Sequence, residues 1–95
     1  MRLAVIGTGY WGSKIVETIK SMQLPVTLHD INDSLDAITP GTTDGVIIAT
    51  PAPTHKNITK MMLRKGLNVL VEKPAFMNMD EYREIEPYTK NTKFM

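Results

Sequence analysis

The chain contains no cysteine and only two histidines among its 95 residues. Without cysteine it has no disulfide, no thiolate metal site and no cysteine nucleophile, which is compatible with a reducing cytoplasm. Two histidines are too few for a metal cage, so we predict no metal site. No apolar run approaches the roughly 20 residues of a membrane-spanning helix. We therefore expect a cytoplasmic protein with no membrane partner.

A strong charge of either sign is also missing, because 11 Lys and Arg residues oppose 10 Asp and Glu residues. The net charge of +1 gives no global field for holding nucleic acid, so any bound anion must be held locally. The apolar fraction of 42% is ordinary for a globular protein. We expect one domain, residues 1–95, built around one core.

What the sequence does contain is a series of short apolar runs bounded by turn residues. The runs at 3–6, 46–49 and 68–71 are nearly continuous, which is typical of parallel strands covered on both faces. A more polar run at 26–30 suits a strand near the edge of a sheet, and residues 92–95 resemble the beginning of another strand.

Segments with helical spacing separate these runs. A first helix is predicted over 11–23, a second follows Thr54 as its cap and stops at Gly66, and a third begins at 78 or 80 and ends or kinks at Pro87. We interpret a basic stripe on the second helix as a solvated face, because a nucleic-acid patch would have aromatic residues interleaved. The stripe consists of Lys56, Lys60 and Arg64. The side chains predicted to face the core are Ile15, Val16, Ile19, Met22, Ile58, Met61, Met62, Tyr82 and Ile85.

Strands that alternate with helices predict an α/β fold, a Rossmann-like parallel sheet with helices on both faces. The connection at 31–43 is too short for the second helix and third strand of that fold, so we predict a loop or one short helical turn around 33–38. The strand that ends at Asp30 then lies at an exposed sheet edge, which favours a homo-oligomer formed through that edge.

The segment at 7–12, Gly-Thr-Gly-Tyr-Trp-Gly, fits the pattern G-x-G-x-x-G between a strand and a helix. In that pattern Gly7 permits the tight turn, Gly9 admits a pyrophosphate close to the backbone, and Gly12 lets the helix pack closely on the strand. Unpaired N–H groups at the helix start attract the anion, aided by about half a positive charge from the helix dipole. The alternative is a glycine-rich turn used only for packing.

Asp30 follows Gly12 by 18 residues and ends the next strand. A carboxylate there can accept hydrogen bonds from the adenosine ribose hydroxyls, and it repels a 2'-phosphate. The following Ile31-Asn32-Asp33 offers no arginine to bind such a phosphate, so NAD is favoured over NADP. A solvated strand-end acid or a turn former is the alternative for Asp30.

Two further strand ends carry polar side chains. Thr50 and Thr54 offer hydroxyls at the edge where ligands of open α/β sheets collect, and two prolines, Pro51 among them, stiffen the loop. His55 either contacts a ligand or makes local hydrogen bonds, and both interpretations stay open.

The last of these strand ends, after the run at 68–71, leads into Glu72, Lys73 and Pro74. Pro74 fixes the turn and so gives Lys73 a defined direction. A lysine near the nicotinamide can hold a substrate oxygen and assist proton transfer. An ion pair between Lys73 and Glu72 is the alternative.

Together these segments resemble the family of glucose-fructose oxidoreductase, inositol dehydrogenase and the MocA protein. The resemblance is carried by 5–12, by 44–51 with His55 four residues on, and by 66–74, whose Glu-Lys-Pro end is the most specific part. It covers nearly the whole chain. The resemblance implies a nicotinamide cofactor over the carboxyl edge of the sheet, a sugar or polyol substrate that reacts at a hydroxyl-bearing carbon, and Lys73 as the catalytic, cofactor-contacting lysine.

The chain departs from that family in two respects. The 31–43 segment lacks the second helix and third strand, and members continue past the position of Met95 into a large substrate domain. We therefore expect a truncated domain, incomplete as an enzyme. The alternatives are a free-standing nucleotide-binding or interaction module without activity and, less favoured, a methyltransferase with a related glycine loop. The residues predicted to bind the cofactor are Gly7, Thr8, Gly9, Tyr10, Trp11, Gly12, Asp30, Ile31, Thr50, Pro51, His55, Glu72, Lys73 and Pro74.

Overall fold

The computed structural model describes residues 1–32, 35–71 and 79–89. Its strands are β1 (Leu3–Ile6), β2 (Val26–His29), β3 (Gly45–Ile48) and β4 (Asn68–Val71). Its helices are α1 (Tyr10–Ser21), α2 (His55–Arg64) and α3 (Met79–Ile85), with 3₁₀ turns at Ala52–Thr54 and Glu86–Thr89. Each of these strands and α-helices agrees with a predicted one to within two residues at its ends. The strand predicted at 92–95 lies outside the described residues.

All four strands are parallel and lie in the order β2-β1-β3-β4. Leu3 of β1 is aligned with Val26 of β2 on one side and with Gly45 of β3 on the other. Parallel neighbours need crossover connections, which α1 supplies between β1 and β2 and α2 supplies between β3 and β4. The predicted Rossmann-like parallel sheet is confirmed, with β2 at an edge. The loops that follow the strands therefore collect at one end of the sheet, its carboxyl edge.

The two faces of the sheet are covered by different helices, because successive side chains of a strand point to opposite faces. Ala4 and Ile6 of β1 belong to a large buried cluster with residues of α2 and α3. Val5 belongs to a smaller cluster with Val16 and Ile19 of α1. Each fully buried aliphatic side chain stabilises the fold by about 1.5–3 kcal/mol relative to its exposed state. The prediction of helices on both faces is confirmed.

The shortened connection between β2 and β3 contains no helix within residues 35–44. Leu35 and Ile38 are instead inserted into the large cluster. The ammonium group of Lys65 donates to the carbonyl oxygens of Leu35 at 2.7 Å and Ile38 at 3.0 Å. Two apolar anchors and one lysine thus hold the predicted loop in the place of a regular helix and strand.

Three side chains predicted to face the core are exposed, which corrects those predictions. Met22 follows the last residue of α1 and so lies outside the helical face. On α2 the buried stripe runs through Ile58, Met62 and Leu63. Successive residues of a helix are about 100° apart around its axis, so Met61, next to Met62, points away from this stripe. Tyr82 of α3 also keeps solvent contact, which suits a ring whose hydroxyl end prefers water.

The basic stripe of α2 is not a solvated face along its length, contrary to the prediction. The ammonium nitrogen of Lys56 lies 3.0 Å from a carboxylate oxygen of Glu84 on α3. The ammonium nitrogen of Lys60 lies 5.7 Å from the ring centre of Tyr88, and Arg64 remains exposed. The reason is that α3 and the turn after it pack against this side of α2, which the spacing within α2 does not reveal.

The helix ends agree with the predicted stop signals. Gly66 has a φ of 85°, the left-handed conformation that glycine adopts without steric cost after a helix. The α-helical part of α3 ends at Ile85, two residues before Pro87, and continues as the 3₁₀ turn. Ile85 is fully buried, as predicted.

The amino end of the sheet is held by Arg2 and Asp44. The backbone N–H of Arg2 donates to Oδ2 of Asp44 at 2.6 Å, and the guanidinium Nη2 donates to Oδ1 at 3.1 Å. Nη1 of Arg2 also donates to the carbonyl oxygen of Gly41 at 2.8 Å. The side-chain and backbone hydrogen bonds from Arg2 lower the pKa of Asp44 from 3.8 to about 2. This contact ties the start of β1 to the segment that leads into β3.

Candidate functional site

Two glycines, Gly7 in the loop after β1 and Gly12 in the first turn of α1, have no room for a side chain. Gly7 has a φ of 127°, and a Cβ there would lie 2.7 Å from the carbonyl carbon of Ala49. A Cβ on Gly12 would overlap the carbonyl oxygen of Gly7. The tight turn at Gly7 and the close packing at Gly12 that the sequence predicted are both present.

Gly9 differs from both of these glycines. Its φ of −71° is open to any residue, and a Cβ there would have no heavy atom from elsewhere in the described chain within 4 Å. Neither backbone conformation nor packing within the described chain therefore requires glycine at this position. Close approach of a ligand to the backbone is a physical reason for the missing side chain.

The N-terminus of α1 leaves its positive dipole end available. The first hydrogen bond in the helix runs from the N–H of Ser13 to the carbonyl oxygen of Gly9 at 3.0 Å, so the amides before Ser13 have no acceptor within the helix. No acidic side chain lies in the first turn of α1, and the residue at its cap position, Gly9, makes no side-chain hydrogen bond. In contrast, α3 carries Asp80 and Glu81 in its first turn. An anion at the start of α1 would thus meet N–H donors and a favourable dipole.

A cleft of about 390 Å³ lies in front of this helix end. It brings together nine of the residues that the sequence predicted to bind a cofactor, from three separate loops at the carboxyl edge. These nine are Gly7, Thr8, Gly9, Tyr10, Trp11, Asp30, Ile31, Thr50 and Pro51. Ala49 also lines the cleft and was missed, although its place at the end of an apolar run before Thr50 was a signal that could have identified it. Gly12 lies beneath the loop, not in the cleft wall.

The surroundings of Asp30 are compatible with both of the roles that the sequence left open. Its carboxylate accepts a hydrogen bond from the N–H of Asn32 at 3.2 Å, which is the turn-forming contact. The residue also lines the cleft, where a carboxylate can accept hydrogen bonds from hydroxyl groups. The turn fixes where the carboxylate stands, so the two roles are compatible.

Side-chain hydrogen bonds brace the turn after β3. The hydroxyl oxygen of Thr54 lies 2.7 Å from that of Thr50 and 2.6 Å from the carbonyl oxygen of Pro51. Thr54 stands before α2 but does not cap it with its side chain, which corrects the prediction. The reason is the 3₁₀ turn at Ala52–Thr54, which aims the hydroxyl back toward β3.

His55 lies under this turn with only 1% of its surface exposed. Its Nε2 is 2.6 Å from the carbonyl oxygen of Thr50. Because a carbonyl oxygen only accepts, Nε2 carries the proton and donates. The structure thus contains the local hydrogen bond that was one of the two interpretations of His55, whereas its contact with a cofactor remains a prediction.

The rim of the cleft carries two exposed aromatic rings at the start of α1. Tyr10 and Trp11 keep 69% and 68% of their surface exposed and pack edge to face with ring centres 5.4 Å apart. The ammonium nitrogen of Lys14, one turn later, lies 5.5 Å from the centre of the Tyr10 ring. Sequence reasoning missed Lys14, although its spacing of four residues from Tyr10 was a signal.

The segment Glu72-Lys73-Pro74 lies outside the described residues. What the structure describes is that β4 ends at Val71, aligned with Ile48 of β3. β4 therefore ends at the carboxyl edge of the sheet, like the other three strands. Within residues 1–32, 35–71 and 79–89, no group of three or more His, Asp and Glu side chains is arranged to hold a metal ion.

Comparison with known proteins agrees with this geometry. Residues 17–94 match the family described as "Oxidoreductase family, NAD-binding Rossmann fold" and designated GFO_IDH_MocA. The chain belongs to this family. It is therefore an NAD-binding Rossmann domain of an oxidoreductase family, and the resemblance drawn from the three sequence segments is confirmed.

Two curated relatives each match most of the chain. The chain is 41% identical to the rhizopine catabolism protein MocA of Rhizobium meliloti over an alignment of 102 positions, gaps included, that covers 87% of this chain and 32% of that protein. It is 33% identical to inositol 2-dehydrogenase of Rhodococcus jostii (strain RHA1) over an alignment of 106 positions, gaps included, that covers 90% of this chain and 29% of that protein. The chain thus spans about a third of the length of these relatives.

Solved structures show the same fold. A putative myo-inositol dehydrogenase from Sinorhizobium meliloti 1021 superposes with a TM-score of 0.86 at 21% identity, covering 100% of this chain and 35% of that one. GenD2 from gentamicin A biosynthesis, solved in complex with NAD, superposes with a TM-score of 0.79 at 24% identity, covering 99% and 34%. Among the described residues, no helix combines the length and apolar character needed to cross a bilayer.

Proposed function

We propose that residues 1–95 form one cofactor-binding domain that holds NAD across the carboxyl edge of its sheet. The observation that carries the proposal is the cleft of about 390 Å³ between the glycine loop, Asp30 and the Thr50-Pro51 turn. The opening at Gly9 supports the fit of a pyrophosphate, because a ligand can approach the backbone there without meeting a side chain.

Each wall of the cleft has a role in this proposal. The amides at the start of α1 hold the pyrophosphate, and Asp30 accepts hydrogen bonds from the adenosine ribose. Thr8, Tyr10, Trp11 and Ile31 complete the contact surface. NAD, when bound, supplies the nicotinamide ring that exchanges a hydride with the substrate.

The preference for NAD over NADP rests on Asp30. Its carboxylate stands in the cleft, where it would repel a 2'-phosphate, and Ile31 and Asn32 offer no cation to offset it.

The substrate and the catalytic groups follow from the family. The relatives named inositol 2-dehydrogenase act on a polyol, so we propose hydride transfer at a hydroxyl-bearing carbon of a sugar or polyol, with the substrate pocket completed by a further domain. In this proposal Lys73 is the catalytic lysine and contacts the cofactor, Pro74 gives Lys73 its direction, and Glu72 and Pro74 also contact the cofactor. The absence of cysteine supports a cytoplasmic location.

The test is calorimetric titration of the folded chain with NAD and with NADP. We expect saturable binding of NAD, weaker binding of NADP, and loss of this preference in Asp30→Ala. Asp80→Ala, which removes a carboxylate that is 90% exposed on α3, is the matched control and should bind like the wild type. Absence of saturable binding of either dinucleotide would remove the proposal.

We also propose that two copies of the chain associate through the free edge of β2. The N–H groups of Leu3 and Gly7 donate to the carbonyl oxygens of Pro25 and His29, which therefore face β1. The residues of β2 that alternate with these direct their backbone N–H and carbonyl groups away from β1, toward the free edge. Leu28 of this edge is 41% exposed, and β2 carries no Asp, Glu, Lys or Arg to discourage pairing. Two antiparallel copies of one edge satisfy each other's backbone groups about a twofold axis. Only four residues are involved, so this contact is weak and depends on concentration.

A further inference from the structure

The inference concerns His55, which the sequence placed among the groups that touch the cofactor. Its side chain is buried at the N-terminus of α2, behind the turn that forms one wall of the cleft. The contact from Nε2 to the carbonyl oxygen of Thr50 is only 2.6 Å long. A buried histidine that donates to a backbone carbonyl next to a binding cleft can act on the site without touching the ligand.

The turn that His55 holds is in direct contact with the glycine loop. Thr50 lines the cleft, and its backbone nitrogen would lie 3.0 Å from a Cβ on Gly7, so these two segments pack with no space between them. The N–H of Ala49 donates to the carbonyl oxygen of Ile6 at 2.8 Å, which joins the same two segments. A shift of the Thr50 carbonyl would therefore move both walls of the cleft.

We propose that His55 is a positioning residue. Its hydrogen bond to the Thr50 carbonyl oxygen fixes the Thr50-Pro51 turn and thereby sets the width of the dinucleotide cleft. The inference rests on the proposed function, because it concerns how that cleft is shaped. This hydrogen bond is buried. If the histidine donor is removed, water cannot readily take its place at the Thr50 carbonyl oxygen.

Two substitutions separate the hydrogen bond from the bulk of the side chain. In His55→Gln the amide nitrogen is as many bonds from Cα as Nε2 is in histidine, and it can donate to the same carbonyl. In His55→Leu the position stays filled by an apolar side chain with no donor. Leu63→Ala, which truncates a buried residue two turns further along α2 and away from the cleft, is the control for destabilisation alone.

The experiment measures the NAD dissociation constant of the full chain by calorimetry, at a temperature where every variant is folded, together with each thermal midpoint. We expect His55→Leu to weaken NAD binding by about tenfold or more, and His55→Gln to stay within about threefold of the wild type. Leu63→Ala should lower the thermal midpoint at least as much as His55→Leu and leave NAD affinity unchanged. Equal weakening by Leu63→Ala and His55→Leu, or none by His55→Leu, would overturn the inference.

A second readout does not depend on NAD. Amide chemical shifts of Gly7 and Thr50 in the ligand-free chain should move in His55→Leu and return toward the wild type in His55→Gln. If the wild-type chain binds no dinucleotide, the proposed function fails while these shifts still decide whether His55 positions the turn. Unchanged shifts in His55→Leu would show that it does not.

Discussion

The two ends of the sheet satisfy their polar groups in opposite ways. At the amino end, Arg2 donates hydrogen bonds to both carboxylate oxygens of Asp44, and the side-chain amide of Asn68 donates to the Asp44 carbonyl oxygen at 3.3 Å. At the carboxyl end, the first amides of α1 have no acceptor in the helix, and Trp11 and Tyr10 stay exposed. These polar groups of the amino end are paired within the chain, whereas the carboxyl end presents donors and surface that a ligand can use.

Replacing Gly7 by Ala should have the largest effect, because it damages both the fold and the site. The φ of 127° and a contact of 2.7 Å with Ala49 each oppose a Cβ. We expect the free energy of unfolding to fall by about 2 kcal/mol or more, with a loss of NAD binding. Urea denaturation measures the first and calorimetry the second. Gly41→Ala is the control, since its Cβ would meet nothing closer than 3.8 Å, and an equal loss there would contradict the account.

Replacing Asp44 by Asn should weaken only the contacts at the amino end of the sheet and so lower stability without affecting NAD binding. The pKa of Asp44 is about 2 in the folded chain against an ordinary value of 3.8, so its ionised form adds stability that is present above 3.8 and is lost as the pH falls toward 2. We therefore expect Asp44→Asn to be less stable than the wild type near neutral pH and to lose less stability on acidification.

Thermal unfolding between about pH 6 and pH 2 checks this difference. Asp80→Asn is the control, because its carboxylate is exposed and lies 3.8 Å from Arg83. NAD binding at neutral pH should be the same in both variants and in the wild type. Loss of NAD binding in Asp44→Asn would contradict the proposal that the two ends of the sheet act separately.

Replacing Leu28 by Lys should have the smallest effect, confined to association. A charged side chain on an edge strand discourages pairing with another strand, and Leu28 is already 41% exposed, so the fold loses little. Light scattering across a concentration series should show a wild type that self-associates weakly and a variant that remains monomeric. Met79→Lys, at an exposed position away from β2, is the control. A wild type that is monomeric at every concentration would remove the proposed contact.

Much of the candidate site could be predicted from local patterns. The apolar runs, the glycine spacing and Asp30 lie in short segments whose meaning does not depend on distant residues. Because parallel strands place their carboxyl ends together, the residues after each run were expected at one edge before any contact was known.

What the sequence did not reveal depends on contacts between distant segments. The pairing of Arg2 with Asp44 spans 42 positions, and the packing of α3 over Lys56 spans 28 to Glu84. The bond from His55 to the Thr50 carbonyl oxygen joins residues only five positions apart, but the sequence left it as one of two interpretations, because a histidine after a turn fits a ligand contact as well as a local hydrogen bond. Tertiary packing therefore decided the questions that spacing left open.

The most direct test of the central claim is the pair of measurements on Gly9→Ala, unfolding by urea and titration with NAD. The φ of −71° and the open space around this position predict that stability stays within about 1 kcal/mol of the wild type. If the carboxyl end is built to receive a dinucleotide at the backbone of Gly9, NAD affinity should fall by about tenfold or more while the fold persists. Unchanged NAD affinity in a folded Gly9→Ala chain would contradict it.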